Sequence, residues 1–241
     1  MASVQLLTRS SGFTLLEISI VLVILGVLAN AFLQPLGSQL ESAKRQETQA
    51  LLLRVEQAVT GFAAAHGRLP CPAPFDQTAI ELPDCTLSSR YGTVPAVTLA
   101  LPGKRNAHGA LVDAWNQPLH YIVSASDHPQ RGEPGRPDFT NSGEMQQVGM
   151  MHLAAEIQIC AEPAAGDCPR RALLANQVPV VFFSSGKPAE HSSLEAENLD
   201  GDAVFVHRDF STAAGHRYDD LLHWIPENLL FYRMMQAGVL P

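Results

Sequence analysis

The pattern of apolar and polar positions predicts one long helix near the start of the chain. Only three positions between residues 18 and 33 are not apolar, namely Ser19, Gly26 and Asn30. A helix over residues 13–33 would rise about 31 Å, which matches a hydrocarbon core of about 30 Å. We therefore expect a transmembrane helix at residues 13–34.

The helical pattern continues beyond Pro35 but becomes amphipathic. Apolar residues recur there at steps of three or four residues, or of eight, which is two steps of four. They are Leu36, Leu40, Ala43, Leu51, Val55, Ala58 or Val59, and Phe62. Charged residues occupy the other faces, so this part of the helix has one apolar face that is expected to be buried. Pro35 lacks a backbone donor and is expected to bend the helix, while Gly67 and Pro70 end it. The amphipathic part therefore covers residues 35–66.

Short strand patterns separated by turn residues follow the helix. Alternating, β-branched and aromatic residues predict strands at 120–124, 155–159, 178–184 and 203–206. Pro226 begins and Gly238 ends a short C-terminal helix pattern. The whole pattern predicts an α+β fold, in which the long helix packs on a small, mostly antiparallel sheet. Residues 67–241 are expected to form one globular head.

A single carboxylate stands at the edge of the apolar run. Glu17 directly follows the stretch Gly12-Phe13-Thr14-Leu15-Leu16. An acid at the centre of a membrane helix costs about 2.5 to 3.5 kcal/mol, so an acid in such a helix indicates a function. These residues resemble the signature of type IV prepilins, whose fold is the same combination of a long helix and a small sheet.

The resemblance implies a processing step and a role in assembly. In that family a dedicated prepilin peptidase cleaves after the glycine and methylates the amine of the new N-terminal phenylalanine. Carried over to this sequence, residues 1–12 are the leader, Gly12 precedes the cut and Phe13 becomes the methylated N-terminus. Glu17 is then the assembly residue, which meets the N-terminal amine of a neighbouring subunit.

Two other interpretations compete for the same residues. An ordinary secretory signal peptide needs a small-x-small cleavage site, and Ala29-Asn30-Ala31 meets that requirement. Glu17 would have no use in such a peptide, and the helical pattern continues beyond Ala31. The other interpretation is a plain membrane anchor that is never cleaved.

The charge of the chain limits its partners. Removal of residues 1–12 takes away Arg9 and leaves 15 basic and 24 acidic side chains, a net charge of −9. Such an acidic chain lacks the basic surface that binds nucleic acid.

The basic residues near the predicted membrane span give only a weak signal for its orientation, because Arg9 lies on one side of the span and Lys44 and Arg45 on the other. The resemblance implies the location: the bacterial inner membrane, with the head outside the cytoplasm.

Four cysteines lie in two local pairs. Cys71 and Cys85 enclose thirteen residues, and Cys160 and Cys168 enclose seven. Both intervals are rich in turn-forming residues, which favours two local disulfides in an oxidising compartment. Zinc is an alternative, although neither interval has the usual spacing of two to four residues. Free buried thiols are the third possibility.

A second, partial resemblance lies in the head. The stretch from Asp113 to Tyr121, with Trp115 and Pro118, looks like the Asp-Pro-Trp-Gly-x-Pro-x-x-Tyr stretch of the major pseudopilins of type II secretion. Ser184-Ser185-Gly186 looks like their Ser-x-Gly turn. From the residues alone, we expect the tryptophan to fill the gap between helix and sheet, and Asp113 to bond backbone at a turn.

The same resemblance raises the question of calcium. In the major pseudopilins an Asp-rich loop after the turn holds a calcium ion, whereas this chain has Lys187-Pro188 there. Hard oxygen ligands gather later, at Glu195, Glu197, Asn198, Asp200 and Asp202, and again at Asp219 and Asp220. Calcium takes six to eight such ligands, so the first five are candidates for a calcium site. The alternative is that these acids are simply solvated.

Catalytic motifs are absent from the sequence. It has no His-Glu-x-x-His, no Gly-x-Ser-x-Gly, and no phosphate loop around Gly186-Lys187. We therefore expect a noncatalytic subunit of a type IV pilus or a type II secretion pseudopilus. A head of about 175 residues is large for a major pilin and favours a minor one. Its partners would be prepilin peptidase, the inner membrane and other pilins. The alternative is a membrane-anchored or secreted hydrolase or binding protein with an ordinary signal peptide.

Overall fold

A computed structural model describes residues 12–76, 79–163, 166–188, 192–213 and 216–240, without the side chains of residues 29–36. The chain forms two compact units, Met1–Ala43 and Lys44–Pro241. The boundary between them falls inside helix α1, which covers Leu15–His66 and continues through Pro35.

No helix in the described part of the chain is both long and apolar enough to cross a membrane. The transmembrane helix expected at residues 13–34 is therefore not confirmed. That range includes residues 29–34, whose side chains lie outside the described part. The structure does confirm the long N-terminal helix itself.

The described residues of the second unit form two sheets and three further helices. The strands that follow α1 are β1 (Tyr91–Thr93), β2 (His120–Val123), β3 (Ile157–Cys160), β4 (Leu173–Val178), β5 (Val180–Ser184), β6 (Val204–Val206) and β7 (Leu221–Ile225). The helices are α2 (Glu144–Val148), α3 (Ser193–Glu197) and α4 (Glu227–Gln236). The larger sheet is antiparallel in the order β1-β2-β5-β7. The smaller sheet has the order β4-β3-β6, with β3 and β6 parallel.

The α+β class and the mostly antiparallel pairing are confirmed, but the prediction of one sheet is wrong. The strand predicted at 178–184 is the end of β4 and all of β5, which belong to different sheets. Strands β1 and β7 were also missed by the pattern. They gain their hydrogen bonds from partners far along the chain, as β7 does from β5.

The central strands of the larger sheet bury both faces. Tyr121 of β2 and Phe182 of β5 pack in a core shared with Val55 and Val59 of α1 and with α4. The alternate residues of these strands, such as Phe183, pack in a second core with the smaller sheet. Side chains of a strand point to opposite faces in turn, so the larger sheet forms the middle layer. Each large apolar side chain buried there contributes about 1.5 to 3 kcal/mol.

The amphipathic stripe of α1 is confirmed in its central part. Leu51, Val55 and Val59 are buried at four-residue steps. Ala63 continues the stripe, whereas Phe62 stays at its edge with the Arg68 guanidinium 5.0 Å from its ring centroid. The stripe places one face of the helix against the larger sheet.

Carboxylates, two of them buried, organise the loop between β2 and α2. Asp127 Oδ2 accepts a hydrogen bond from the Gly135 backbone N–H at 2.6 Å, and Glu144 accepts one from the Glu133 N–H. Asp138 is buried and accepts one from the His128 N–H at 3.3 Å. Burial, together with the negative charges of Asp127 and Glu144, raises the pKa of Asp138 to about 6 despite the His128 hydrogen bond.

Asp138→Asn is expected to remove part of the pH dependence of folding. The folded state holds this proton between pH 4 and 6, where an unfolded aspartate with a pKa of about 3.9 has released it. The aspartate therefore lowers the stability as the pH rises through this window, by on the order of 2 kcal/mol. Urea unfolding of both proteins at pH 4, 5, 6 and about 7 checks this. A constant difference between them would contradict it.

Candidate functional site

The residues of the N-terminal signature lie at the entry to helix α1. Gly12, Phe13 and Thr14 precede the helix without regular structure. Thr14 begins the helical hydrogen bonding: its carbonyl accepts from Ile18 N at 3.1 Å, and its Oγ1 accepts from Glu17 N at 3.2 Å. Gly12 is exposed, and apart from its chain neighbours no atom of the described residues lies within 4 Å of where its Cβ would be. The peptide bond after Gly12 is therefore outside the helix and sterically open.

Glu17 is the only ionisable side chain among residues 12–28. It lies in the first turn of α1, where a negative charge interacts favourably with the helix dipole. Around it, the apolar residues from Phe13 to Leu28 are exposed on every side of the helix. An exposed apolar surface of this extent marks a region that contacts lipid or another protein.

The cysteines form two bridges. Cys71 is bonded to Cys85, and Cys160 to Cys168, with Cα–Cα distances of 5.7 and 5.8 Å. The first bridge closes the loop between α1 and β1, and the second closes the loop that follows β3. Neither thiolates for zinc nor free thiols remain.

The two stretches that resemble the major pseudopilins meet in the head. Asp113 Oδ1 accepts hydrogen bonds from the backbone N–H groups of Trp115 and Gln117, each at 2.8 Å. The Ser184 hydroxyl donates to Asp113 Oδ2 and accepts from Gly186 N at 3.1 Å. Burial raises the pKa of Asp113, although these hydrogen bonds oppose the effect. Asp113 thus joins the two stretches, and Trp115 is buried in the core with α1.

The turn at Gly186 contacts a second carboxylate. Gly186 has φ +67°, and a Cβ there would lie 2.6 Å from Asp219 Oδ1 and 2.7 Å from the Asp219 carbonyl oxygen. Only glycine fits this position without displacing Asp219. The turn therefore packs directly against the segment that leads into β7.

The five predicted calcium ligands do not come together as one site. Glu195 groups with Asp219 and Asp220, whereas Glu197 groups with Asp200 and Asp202. The reason is helical geometry, because positions 195 and 197 of α3 are about 200° apart around the helix axis.

The side-chain amide of Asn198 is hydrogen-bonded within the protein. Its Oδ1 accepts a hydrogen bond from Val206 N at 2.7 Å, and its Nδ2 donates to the Val206 carbonyl and to Asp220 Oδ2. Its amide therefore ties α3 to β6 and to the start of β7 rather than presenting a free oxygen. The predicted ligand set does not include Asp219 and Asp220. Their one local signal is an acidic pair directly before the apolar strand β7.

Glu195 is held in place by backbone donors. Its Oε2 accepts from Ser192 N at 2.6 Å, which forms a capping box at the start of α3, and its Oε1 accepts from Asp219 N at 2.8 Å. Burial raises its pKa, but these hydrogen bonds outweigh burial and leave the pKa below its ordinary value. Burial raises the pKa of Asp220 to about 8, with a smaller contribution from the charges of Glu195 and Asp219.

Comparison with known proteins finds a family model and several similar proteins. A family model described as the prokaryotic N-terminal methylation motif matches residues 7–29. The type II secretion system core protein G of Klebsiella pneumoniae is 35% identical over 82 residues, which are 34% of this chain and 59% of that protein. The chain therefore spans less than two thirds of the length of this relative.

Two further proteins of the same name are also similar. That of Klebsiella michiganensis is 28% identical over 127 residues, which are 53% of this chain and 88% of that protein. That of Pectobacterium carotovorum is 40% identical over 62 residues, which are 26% of this chain and 40% of that protein. No solved structure gives a significant match.

Proposed function

We propose that this chain, a type IV prepilin-like protein, is a noncatalytic minor pilin or pseudopilin that joins a helical filament of related subunits. The observation that supports this most directly is the combination of an open Gly12–Phe13 bond with an exposed apolar helix that carries one acid. The match to the methylation motif covers these residues. The similarity to core protein G favours a type II secretion pseudopilus over a type IV pilus.

The open entry to α1 and the match to the methylation motif support the proposed processing. Prepilin peptidase would cleave after Gly12, removing residues 1–12, and methylate the amine of Phe13. A protease needs an extended, accessible bond, and residues 12–14 lie outside the helix. Thr14 would still cap α1 after the cut, because its hydroxyl and carbonyl already accept the first helical N–H groups.

The proposed assembly uses the apolar surface of α1. Residues 13–34 would anchor the subunit in the bacterial inner membrane, with residues 35–66 continuing the helix and the head, 67–241, outside the cytoplasm. On entry into a filament, the exposed apolar faces of neighbouring helices would pack together as they leave lipid. Glu17 would then pair with the Phe13 amine of a neighbour, which fixes the axial register of the two helices. Such a pair in an apolar environment contributes specificity more surely than stability.

The head supplies a rigid body rather than a catalytic centre in this proposal. Two disulfides and two apolar cores hold it together. Three of its buried acids, Asp113, Asp138 and Glu195, accept hydrogen bonds from backbone N–H groups. The named relatives are type II secretion system core proteins.

Mass spectrometry of the N-terminal peptide of the membrane-associated protein tests this function. The expected peptide begins with N-methylated Phe13. A peptide that begins at Phe32 would instead show signal-peptidase cleavage after Ala31. A chain that retains residues 1–12 in cells with active prepilin peptidase would show an uncleaved anchor, and either result would overturn the proposal.

A further inference from the structure

A cavity of about 520 Å³ lies beside strand β7 in the second unit. Its walls come from α1 on one face of the larger sheet, from β7 and its entry, and from the segment 207–210, which follows β6 on the other face. β7 is the last strand of the larger sheet, and no strand of the described residues pairs with its outer edge. The cavity therefore lies at an open edge of the sheet.

Part of the cavity wall is apolar. The apolar lining residues are Leu52 and Leu53 of α1, Phe210, and Leu221 and Leu222 of β7. Leu53 is 50% exposed and Phe210 is 45% exposed, so part of this apolar surface is in contact with solvent. Ligand cavities in proteins have volumes of about 300 to 1,000 Å³ and apolar walls with a few polar groups. The size and the walls of this cavity therefore fit a ligand that buries an apolar group.

Arg45 reaches from α1 across the edge of the sheet. Its guanidinium carbon lies 4.2 Å from the centroid of the Phe210 ring, and its Nη1 donates a hydrogen bond to the Asp219 carbonyl at 3.2 Å. The aromatic ring and the carbonyl together hold the guanidinium in place at the start of β7. A guanidinium fixed beside a cavity in this way is preorganised to recognise a carboxylate.

The charged groups of the cavity favour a ligand with a single negative charge. Arg45 and Arg208 are the lining arginines, and the long ion pair of Arg208 with the exposed Glu162, at 3.7 Å, offsets its charge only weakly. Of the lining acids, Asp209 is exposed, whereas burial raises the pKa of Asp220 to about 8, so that Asp220 carries little charge at pH 7. Apart from its two histidines, the lining thus has about one positive charge in excess. This excess suits a carboxylate better than a phosphate dianion.

We propose that this cavity binds the C-terminal end of an extended peptide of a partner protein. The outer edge of β7 offers backbone groups with which such a peptide pairs as an added strand. A strand added in the antiparallel direction ends at the start of β7, where its carboxylate meets Arg45 and its last side chain meets Leu53 and Phe210. The partner is therefore defined by an apolar C-terminal residue with a free carboxylate. This site does not depend on the filament role.

Fluorescence anisotropy with the purified full chain in detergent tests the proposal. The probe is a labelled peptide of alternating threonine and valine that ends in leucine with a free carboxylate, and we expect saturable binding. The same peptide with a C-terminal amide should bind at least about tenfold more weakly, because it lacks the charge that Arg45 recognises. Leu53→Glu should weaken binding of the free-carboxylate peptide by at least about tenfold, because it places a negative charge in the apolar wall.

Leu174→Glu is the matched control. Leu174 is 51% exposed, much as Leu53 is, and it lines a second cavity that shares only the segment 207–210 with the first. This variant should bind the peptide as the wild type does, and both variants should keep the wild-type Tm because both side chains are half exposed. A loss of binding in Leu174→Glu, alone or together with Leu53→Glu, would overturn the assignment to the cavity beside β7.

Three results with the wild-type chain would also overturn the proposal, and they need no variant. The first is that the peptide does not bind, and the second is that its amide binds equally well. The third is that N-acetylleucine displaces the labelled peptide as effectively as the unlabelled peptide does, which would show a site for a small acid without pairing to β7. A dimer of the wild type that Leu53→Glu disperses would identify a second copy of the chain as the occupant instead.

Discussion

Glu17→Ala is expected to leave membrane insertion and cleavage intact but to prevent entry into filaments. The substitution makes the helix more apolar, and it leaves the Gly12–Phe13 bond and the Thr14 cap unchanged. What it removes is the charge that meets a neighbour's N-terminal amine. Truncating one partner of a desolvated charge pair costs about 2 to 5 kcal/mol, so incorporation should fall by more than about tenfold. The measurement is the ratio of filament-associated to membrane-associated protein.

Two further variants test whether this result depends on the charge of residue 17 and on the length of its side chain. Glu17→Gln keeps the size of the side chain but not its charge, and should fail as Glu17→Ala does. Glu17→Asp keeps the charge about one methylene further from the amine and should be intermediate. Normal incorporation of Glu17→Ala would show that this acid is not the assembly contact. Loss of N-terminal cleavage in the same variant would instead point to a processing defect.

Asp113→Ala is expected to destabilise the head by about 3 kcal/mol, because the N–H groups of Trp115 and Gln117 lose their acceptor within the protein. The Ser184 hydroxyl loses its acceptor as well. For a domain of this size the Tm should fall by about 10 °C. Chemical denaturation of the purified chain, with the disulfides kept oxidised, gives the free energy directly.

Asp113→Asn separates hydrogen bonding from charge. The amide oxygen can still accept from both N–H groups, and the Ser184 hydroxyl can rotate to accept from the amide nitrogen. This variant should therefore recover most of the lost stability. Asp209→Ala, at an exposed aspartate, is the surface control and should change the stability by less than about 0.5 kcal/mol. If Asp113→Ala were as mild as this control, the junction between the two stretches would not matter for folding.

The local sequence pattern was sufficient to predict the helices at both ends of the chain and several of the strands. The apolar stripe of α1 depends on residues four positions apart, as Leu51 and Val55 are, and such neighbours lie on one helix face whatever the rest of the chain does. The same holds for α4, which begins after Pro226. The Gly12–Phe13 signature and Glu17 are also contiguous residues, so the sequence could identify them as a motif without any knowledge of the head.

The tertiary structure decided whatever depends on residues far apart in the chain. Asp113 and Ser184 are 71 positions apart, and only the pairing of the strands places them in contact. The larger sheet includes β7 because Phe182 and Phe183 of β5 provide a partner for an apolar segment with no clear alternation of its own. The acids at 195–202 look like one group along the chain, yet the turn of α3 divides them and brings Glu195 to Asp219 and Asp220. The sequence by itself determined the N-terminal helix and its signature because their hydrogen bonds and spacing are local. The strand order and the buried acidic cluster depend on long-range contacts, which no window of the sequence contains.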